Sequence, residues 1–156
     1  MAITYHTFAG VLPELILHQL LDLLTRIFVN QSREEWRADL MQKTATYLDF
    51  QTLLAIDDNQ VIGCKLGYAW QPDGQPTTTF YSWLGGVDPA YRGQGVAGEL
   101  MRLQHEVCRA RGYHTVRTHT YNQWRDMLIL NLRHDFQIVG TQPGKRGLTI
   151  ILEKTL

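Results

Sequence analysis

Apolar positions along this chain alternate between a spacing of two and a spacing of three to four, and the alternation predicts its elements. Ile3 to Phe8 alternates as a first strand. Leu12, Ile16, Leu20, Leu23 and Ile27 then fall on one helical face, with Pro13 suited to the opening turn. Asn30-Gln31 breaks that helix. Ser32 and Glu35 stand in S-x-x-E register, a capping box that starts a second helix with Trp36 and Leu40 inward. Leu53–Ile56 and Val61–Trp70 read as strands joined by the polar turn Asp57-Asp58-Asn59-Gln60. Gln71 to Thr79, with Pro72, Gly74 and Pro76, is a loop.

Tyr81 to Val87 is a fourth strand, expected to loosen or bulge at Gly85 and Gly86. Val96, Leu100, Leu103, Val107 and Ala110 make the apolar stripe of a third helix that stops at Gly112. His114 to Thr120 follows as a β-branched fifth strand. Asn122 is placed to cap a short helix carrying Trp124, Met127, Leu128 and Leu132. Phe136–Gln142 and Leu148–Leu152 form a closing hairpin across Pro143–Gly147. The order β-α-α-β-β-β-α-β-α-β-β runs without linker or repeat, which predicts one mixed α/β domain over residues 1–156.

Composition narrows the function classes. With 15 basic and 15 acidic side chains the chain is neutral overall, which argues against a nucleic-acid binder. The apolar stretch Val11–Val29 is interrupted by Glu14, His18, Asp22 and Arg26, so no membrane span is expected, and no signal peptide is read at the N-terminus. Cys64 and Cys108 lie in apolar segments without metal-like spacing and read as free buried thiols of a reducing cytoplasm. His6, His18, His105, His114 and His134 show no ligand spacing, and no metal site is predicted.

The candidate chemistry lies in the turn after the fourth strand. Arg92-Gly93-Gln94-Gly95-Val96-Ala97 puts two glycines where a helix begins, so successive N–H groups can face outward together. A helix N-terminus favours an anion, and Arg92 adds a full charge at the rim. Gly93, Gly95 and Gly98 also spell G-x-G-x-x-G. A dinucleotide fold, however, needs an acidic residue on the next strand, and His114–Thr120 carries none. A kinase loop needs a downstream strand Lys and an H-R-D loop, which are missing. By itself the motif fits a turn that uses glycine only for tightness equally well.

The run Val87-x-Pro89-x-x-Arg92-Gly93-x-Gly95-x-Ala97, on the fourth strand and third helix of this element order, resembles the acyl-CoA-binding motif of the GNAT superfamily of N-acetyltransferases. The resemblance extends over nearly the whole chain. It implies that Arg92, Gly93, Gln94, Gly95, Val96, Ala97 and Gly98 hold the pyrophosphate of acetyl-CoA. It also implies that the pantetheine arm pairs with backbone near Leu84 to Val87, Gly85 and Val87 included, and that Asn122 is either a pantetheine contact or a plain helix cap. An acceptor amine would attack the thioester directly, with a backbone N–H polarising the carbonyl.

The chain departs from the family where the last helix commonly carries a Tyr as general acid. Counting back from Phe136, that position holds Asn131. An amide can donate a hydrogen bond to a thiolate but cannot deliver a proton at neutral pH. Asn131 shares the predicted stripe of Trp124, Leu128 and Leu132, so it reads either as a satisfied core amide or as a group facing the cofactor. His119, near the end of the fifth strand, is a candidate general base or simply a strand residue. The expected reaction is acetylation of a primary amine on a small molecule or a protein. The alternative is a GNAT-like domain that binds acyl-CoA as a sensor. Val29–Arg33 and Pro143–Gly147 would shape the acceptor site, and a homodimer is a reasonable expectation.

Overall fold

The computed structural model describes residues 2–156. Seven strands form one sheet: β1 (Thr4–Ala9), β2 (Gln51–Asp57), β3 (Gln60–Ala69), β4 (Thr79–Val87), β5 (Thr115–Tyr121), β6 (Gln137–Gly144) and β7 (Gly147–Thr155). Four helices accompany them: α1 (Glu14–Ile27), α2 (Arg33–Thr46), α3 (Val96–Ala110) and α4 (Arg125–Arg133). The strand order is β1-β2-β3-β4-β5-β7-β6, antiparallel throughout except for β4 beside β5. A parallel neighbour requires a crossover, and α3 supplies it.

Several elements form for local reasons. Ser32 accepts from the Glu35 N–H at 3.1 Å, while the Glu35 carboxylate accepts from the Ser32 N–H at 3.2 Å, which completes the capping box. Asp58 and Asn59 join β2 to β3 with φ of 49° and 61°, the left-handed pair of a two-residue hairpin turn.

The central strands are covered on both faces. On one side α1 and α2 lie over Leu54, Leu66, Tyr68 and Trp83. On the other, α3 buries Leu53, Ala55, Ile62 and Val87. Leu53 and Leu54 are adjacent and serve opposite cores, as alternation along a strand demands. A further cluster under α3 and α4 joins Phe80, Met101, Val116, Phe136 and Leu152.

Four expectations are corrected. The bulge of β4 is not at the glycine pair. Leu66 pairs with Leu84 and Gly67 with Ser82, so Trp83 is the extra residue. A Cβ on Gly67 would lie 2.4 Å from the Tyr81 carbonyl, so β4 closes on its neighbour at this rung because residue 67 has no side chain. The buried face of α3 is Val96, Leu100, Met101, Gln104, His105 and Cys108, rotated from the predicted stripe, and Ala110 is exposed. Helix α4 begins at Arg125 behind Trp124, with no side-chain cap, so Asn122 does not cap it. The closing hairpin is tighter than expected: Pro143 pairs with Leu148 and Gly144 with Gly147, leaving only Lys145-Arg146 as turn.

Candidate active site

Strands β4 and β5 are hydrogen-bonded partners only from Thr79–Thr115 to Ser82–Thr118. Beyond that rung β4 runs on to Val87 against β3 alone, and β5 to Tyr121 against β7 alone. The bulge at Trp83 falls at the point of separation, where a bulge turns a strand away from its neighbour. Thr118 Oγ1 donates to the Ser82 carbonyl at 2.9 Å and fastens the apex. The sheet is therefore open between Leu84–Val87 and His119–Tyr121.

The mouth of this opening leads to the glycine turn. A 3-10 turn, Pro89–Tyr91, follows β4 and is anchored on both flanks. Tyr91 Oη donates to Asp57 Oδ2 at 2.6 Å, and Asp88 accepts from Arg26 at 3.0 Å and from the Ala90 N–H at 3.0 Å. Gly93 and Gly95 have φ of 80° and 78°, a conformation a residue with a Cβ adopts only at a cost. Gly95 occupies the N-cap position of α3 and has no side chain to satisfy the first turn. The Arg92 N–H reaches the Pro89 carbonyl and the Glu99 N–H reaches Gly95. Between them, the N–H groups of Gly93, Gln94, Gly95, Val96, Ala97 and Gly98 have no protein acceptor among the described residues. Residues 92–95 are exposed. Arg92 Nε donates to the Val87 carbonyl at 3.3 Å, tying its stem to the end of β4. This row of unpaired donors, with a guanidinium beside it, fits a diphosphate.

From the turn a narrow cleft runs inward. It is lined by Gly85, Gly86 and Val87 of β4, Ala97 and Leu100 of α3, Met127 and Leu130 of α4, and Cys64 and Lys65 of β3. Gly85 and Val87, predicted from the motif, lie on it. Asn131 is 2% exposed and sits one helical turn beyond Met127, on the same face of α4. Of the predicted stripe Leu128 packs against the core, whereas Trp124 and Leu132 are 38% and 45% exposed. Asn122 is exposed in the turn after β5, a turn held by Gln123 donating to the Arg146 carbonyl at 3.0 Å.

His119 faces the opposite side of the opening. Its ring lies 5.0 Å from Tyr81 and 5.8 Å from Trp70, both edge-on. Arg117 stacks over Trp70 at 4.8 Å, pairs with Glu153 at 3.0 Å and donates through Nε to His119 Nε2 at 3.1 Å. Burial, and then Arg117, lower the His119 pKa, so the imidazole is neutral with its proton on Nδ1. The Tyr81 phenol is pushed up to about 12 by burial. Burial also pushes the Cys64 and Cys108 thiols up to about 12, which keeps them protonated and unreactive.

Three contributors were not singled out from sequence. Lys65 is a lone charge in an otherwise apolar run, V-I-G-C-K-L-G-Y, and such interruption of a strand buried on both faces was the available signal. Asp57 and Gly67 had none, because their partners Tyr91 and Tyr81 are distant in sequence. No group of three or more His, Cys, Asp or Glu positioned for a metal occurs among the described residues, and no helix is long and apolar enough to cross a membrane.

A mixed sheet that parts between two parallel strands, with a row of unpaired N–H groups at the mouth, is the arrangement that the sequence resemblance implies for an acyltransferase. The acetyltransferase (GNAT) family model matches residues 17–127, and the chain belongs to that family. Solved structures agree in fold. Ard1 from Thermoplasma volcanium is 16% identical, with a TM-score of 0.78 and coverage of 100% of this chain and 99% of its own. A GNAT family acetyltransferase from Elizabethkingia anophelis with acetyl-CoA bound is 20% identical, with a TM-score of 0.71 over 99% and 98%. A chain of the NatC complex bound to Gag peptide and CoA is 19% identical, with a TM-score of 0.78 over 100% and 99%. No curated protein matches the chain by sequence.

Proposed function

We propose that this acetyltransferase moves an acetyl group from acetyl-CoA to a primary amine, by direct attack within a ternary complex. One observation carries the reading: the β4–β5 opening begins at Ser82–Thr118 and its mouth is the row of unpaired N–H groups from Gly93 to Gly98. A diphosphate on that turn, with Arg92 at its rim, would lay a pantetheine arm along Gly85–Val87 and bring the thioester to the opening. The free backbone edge of β4 beyond Ser82 offers N–H groups for the arm and for the carbonyl oxygen. Asn122, in the turn after β5, would contact the arm.

On this reading the acceptor approaches from the side of Trp70, Tyr81 and His119. An aliphatic amine is protonated at neutral pH and must lose a proton before it attacks. His119 is neutral and available as the base once Arg117 releases Nε2 and turns wholly to Glu153. Asn131 would donate a hydrogen bond to sulfur without giving up a proton. The two buried, unpaired thiols support a reducing cytoplasm as the setting.

A second reading, an acyl-CoA sensor of little catalytic power, is favoured by one feature: α4 carries the buried amide of Asn131 and no phenol. Calorimetry with acetyl-CoA, CoA and NAD tests the donor site, and binding of the first two but not the third is expected. Thiol release across a panel of small amines and peptides then separates enzyme from sensor. Release with at least one acceptor class is expected, and binding without release across the panel would favour the sensor.

A further inference from the structure

Lys65 is 7% exposed, in the middle of β3. It faces Gly85 in the register, and its Nζ lies 3.5 Å from the point where a Cβ on Gly85 would stand. Its stem therefore runs beneath the part of β4 that has no side chain, into the cleft bounded by Ala97, Leu100, Met127 and Leu130. It is the one charged residue of that lining. None of the ion pairs among the described residues includes it. The titratable groups around it are neutral: the Cys64 thiol on its own strand, and the Cys108 thiol and His105 imidazole on α3. A buried ammonium without a carboxylate is costly, and substitution by an apolar side chain would stabilise the fold. Packing thus gives no reason for a lysine here.

We propose that the Lys65 ammonium is the proton donor to the sulfur of the departing CoA, the task that Asn131 cannot perform. The assignment rests on the acetyl-CoA reading given above. As the amine nitrogen bonds to the carbonyl carbon, the C–S bond breaks and its electron pair goes to sulfur. Lys65 passes a proton from Nζ to that sulfur, leaving CoA as the free thiol. His119 returns to solvent the proton it took from the acceptor ammonium, the new amide nitrogen loses its extra proton to solvent, and Lys65 is reprotonated from solvent, so no proton is gained or lost by the enzyme over the cycle.

Burial lowers the Lys65 pKa to about 8. An ordinary thiol ionises near pH 8.5, at about 8.5 on the reference scale. Donor and acceptor are thus closely matched, the condition under which proton transfer to a leaving group is efficient.

The test uses CoA itself and reads its thiolate by ultraviolet absorbance as pH rises. Bound to the wild type, the thiol should ionise at least about one unit below free CoA, because a cation stands beside it. In Lys65→Met the depression should vanish while desulfo-CoA binds both proteins equally. The variant should melt at or above the wild-type temperature, since a buried charge has been removed. An undepressed thiol in the wild type, or the same depression in Lys65→Met, would overturn the assignment while leaving CoA binding intact. Failure of the wild type to bind CoA at all would instead remove the donor reading, and the role of Lys65 with it.

Discussion

The hydroxyl of Tyr91 donates to the carboxylate of Asp57 at 2.6 Å, joining the 3-10 turn before the glycines to the end of β2. The hydrogen bond to Asp57 raises the Tyr91 pKa, so the phenol stays protonated and keeps donating through the neutral range. With Arg26 holding Asp88 on the other flank, the start of the turn is fixed before any ligand arrives. A preorganised site does not have to be ordered at the expense of binding energy.

Tyr91→Phe is therefore expected to weaken CoA binding several-fold and to lower the melting temperature, because it leaves the buried Asp57 carboxylate without that donor. Calorimetry beside a thermal melt checks both. Unchanged affinity would mean that the turn holds its shape without this bond.

Gly95 has φ of 78° and an open surround, so the objection to a larger residue there is conformational. Valine would cost about 1–2 kcal/mol in that region and would place a branched side chain over the N–H row. Gly95→Val should keep the circular dichroism of the wild type and lose detectable CoA binding. Retained binding would put the diphosphate elsewhere.

Gly67 sits under the bulge that opens the site. A methyl group there meets the Tyr81 carbonyl at 2.4 Å and the Phe80 ring at 2.5 Å. Phe80 is a fully buried core residue and cannot swing away freely. Gly67→Ala should destabilise the fold by about 1–3 kcal/mol, the usual range for overpacking. At roughly 2–4 °C per kcal/mol for a chain of this size, the melting temperature should show it.

His105 gives the stability a predictable pH dependence. It is 2% exposed on α3, and its Nδ1 faces Lys154 Nζ of β7 at 3.3 Å. Burial, with Lys154, Lys65, Arg109 and His134 around it, lowers its pKa to about 3. In the unfolded chain the group titrates near its ordinary value of about 6.5. Between those two values the unfolded state binds a proton that the folded state refuses. Stability should therefore fall as pH drops from about 6.5 toward 3, by up to about 1.4 kcal/mol per pH unit. Urea unfolding at stepped pH should show a shallower acid limb for His105→Leu than for the wild type. Parallel limbs would mean that His105 is protonated in the native state.

The elements that followed from the amino-acid pattern are those whose causes lie within a few residues. The capping box of Ser32 and Glu35, the left-handed Asp58-Asn59 turn and the glycine turn from Arg92 to Ala97 each rest on steric rules or hydrogen bonds that act over three to six positions. The features that define the working site arise between segments far apart in the chain. Trp83, not Gly85 or Gly86, became the bulge because Gly67 on the neighbouring strand left room for β4 to shift there. The face that α3 buries was set by the residues it meets from distant segments, Phe80, Val116 and Phe136, against which Met101, His105 and Cys108 pack while Ala110 stays outside. Asn131 turned inward where Trp124 and Leu132 did not, because α4 covers the cleft along the side that bears Met127 and Leu130. Lys65 reads as a break in an apolar strand until β4 is laid beside it and the gap at Gly85 gives its ammonium somewhere to go. Local sterics are written in neighbouring residues, whereas register and burial depend on surfaces that come together only when distant parts of the chain meet.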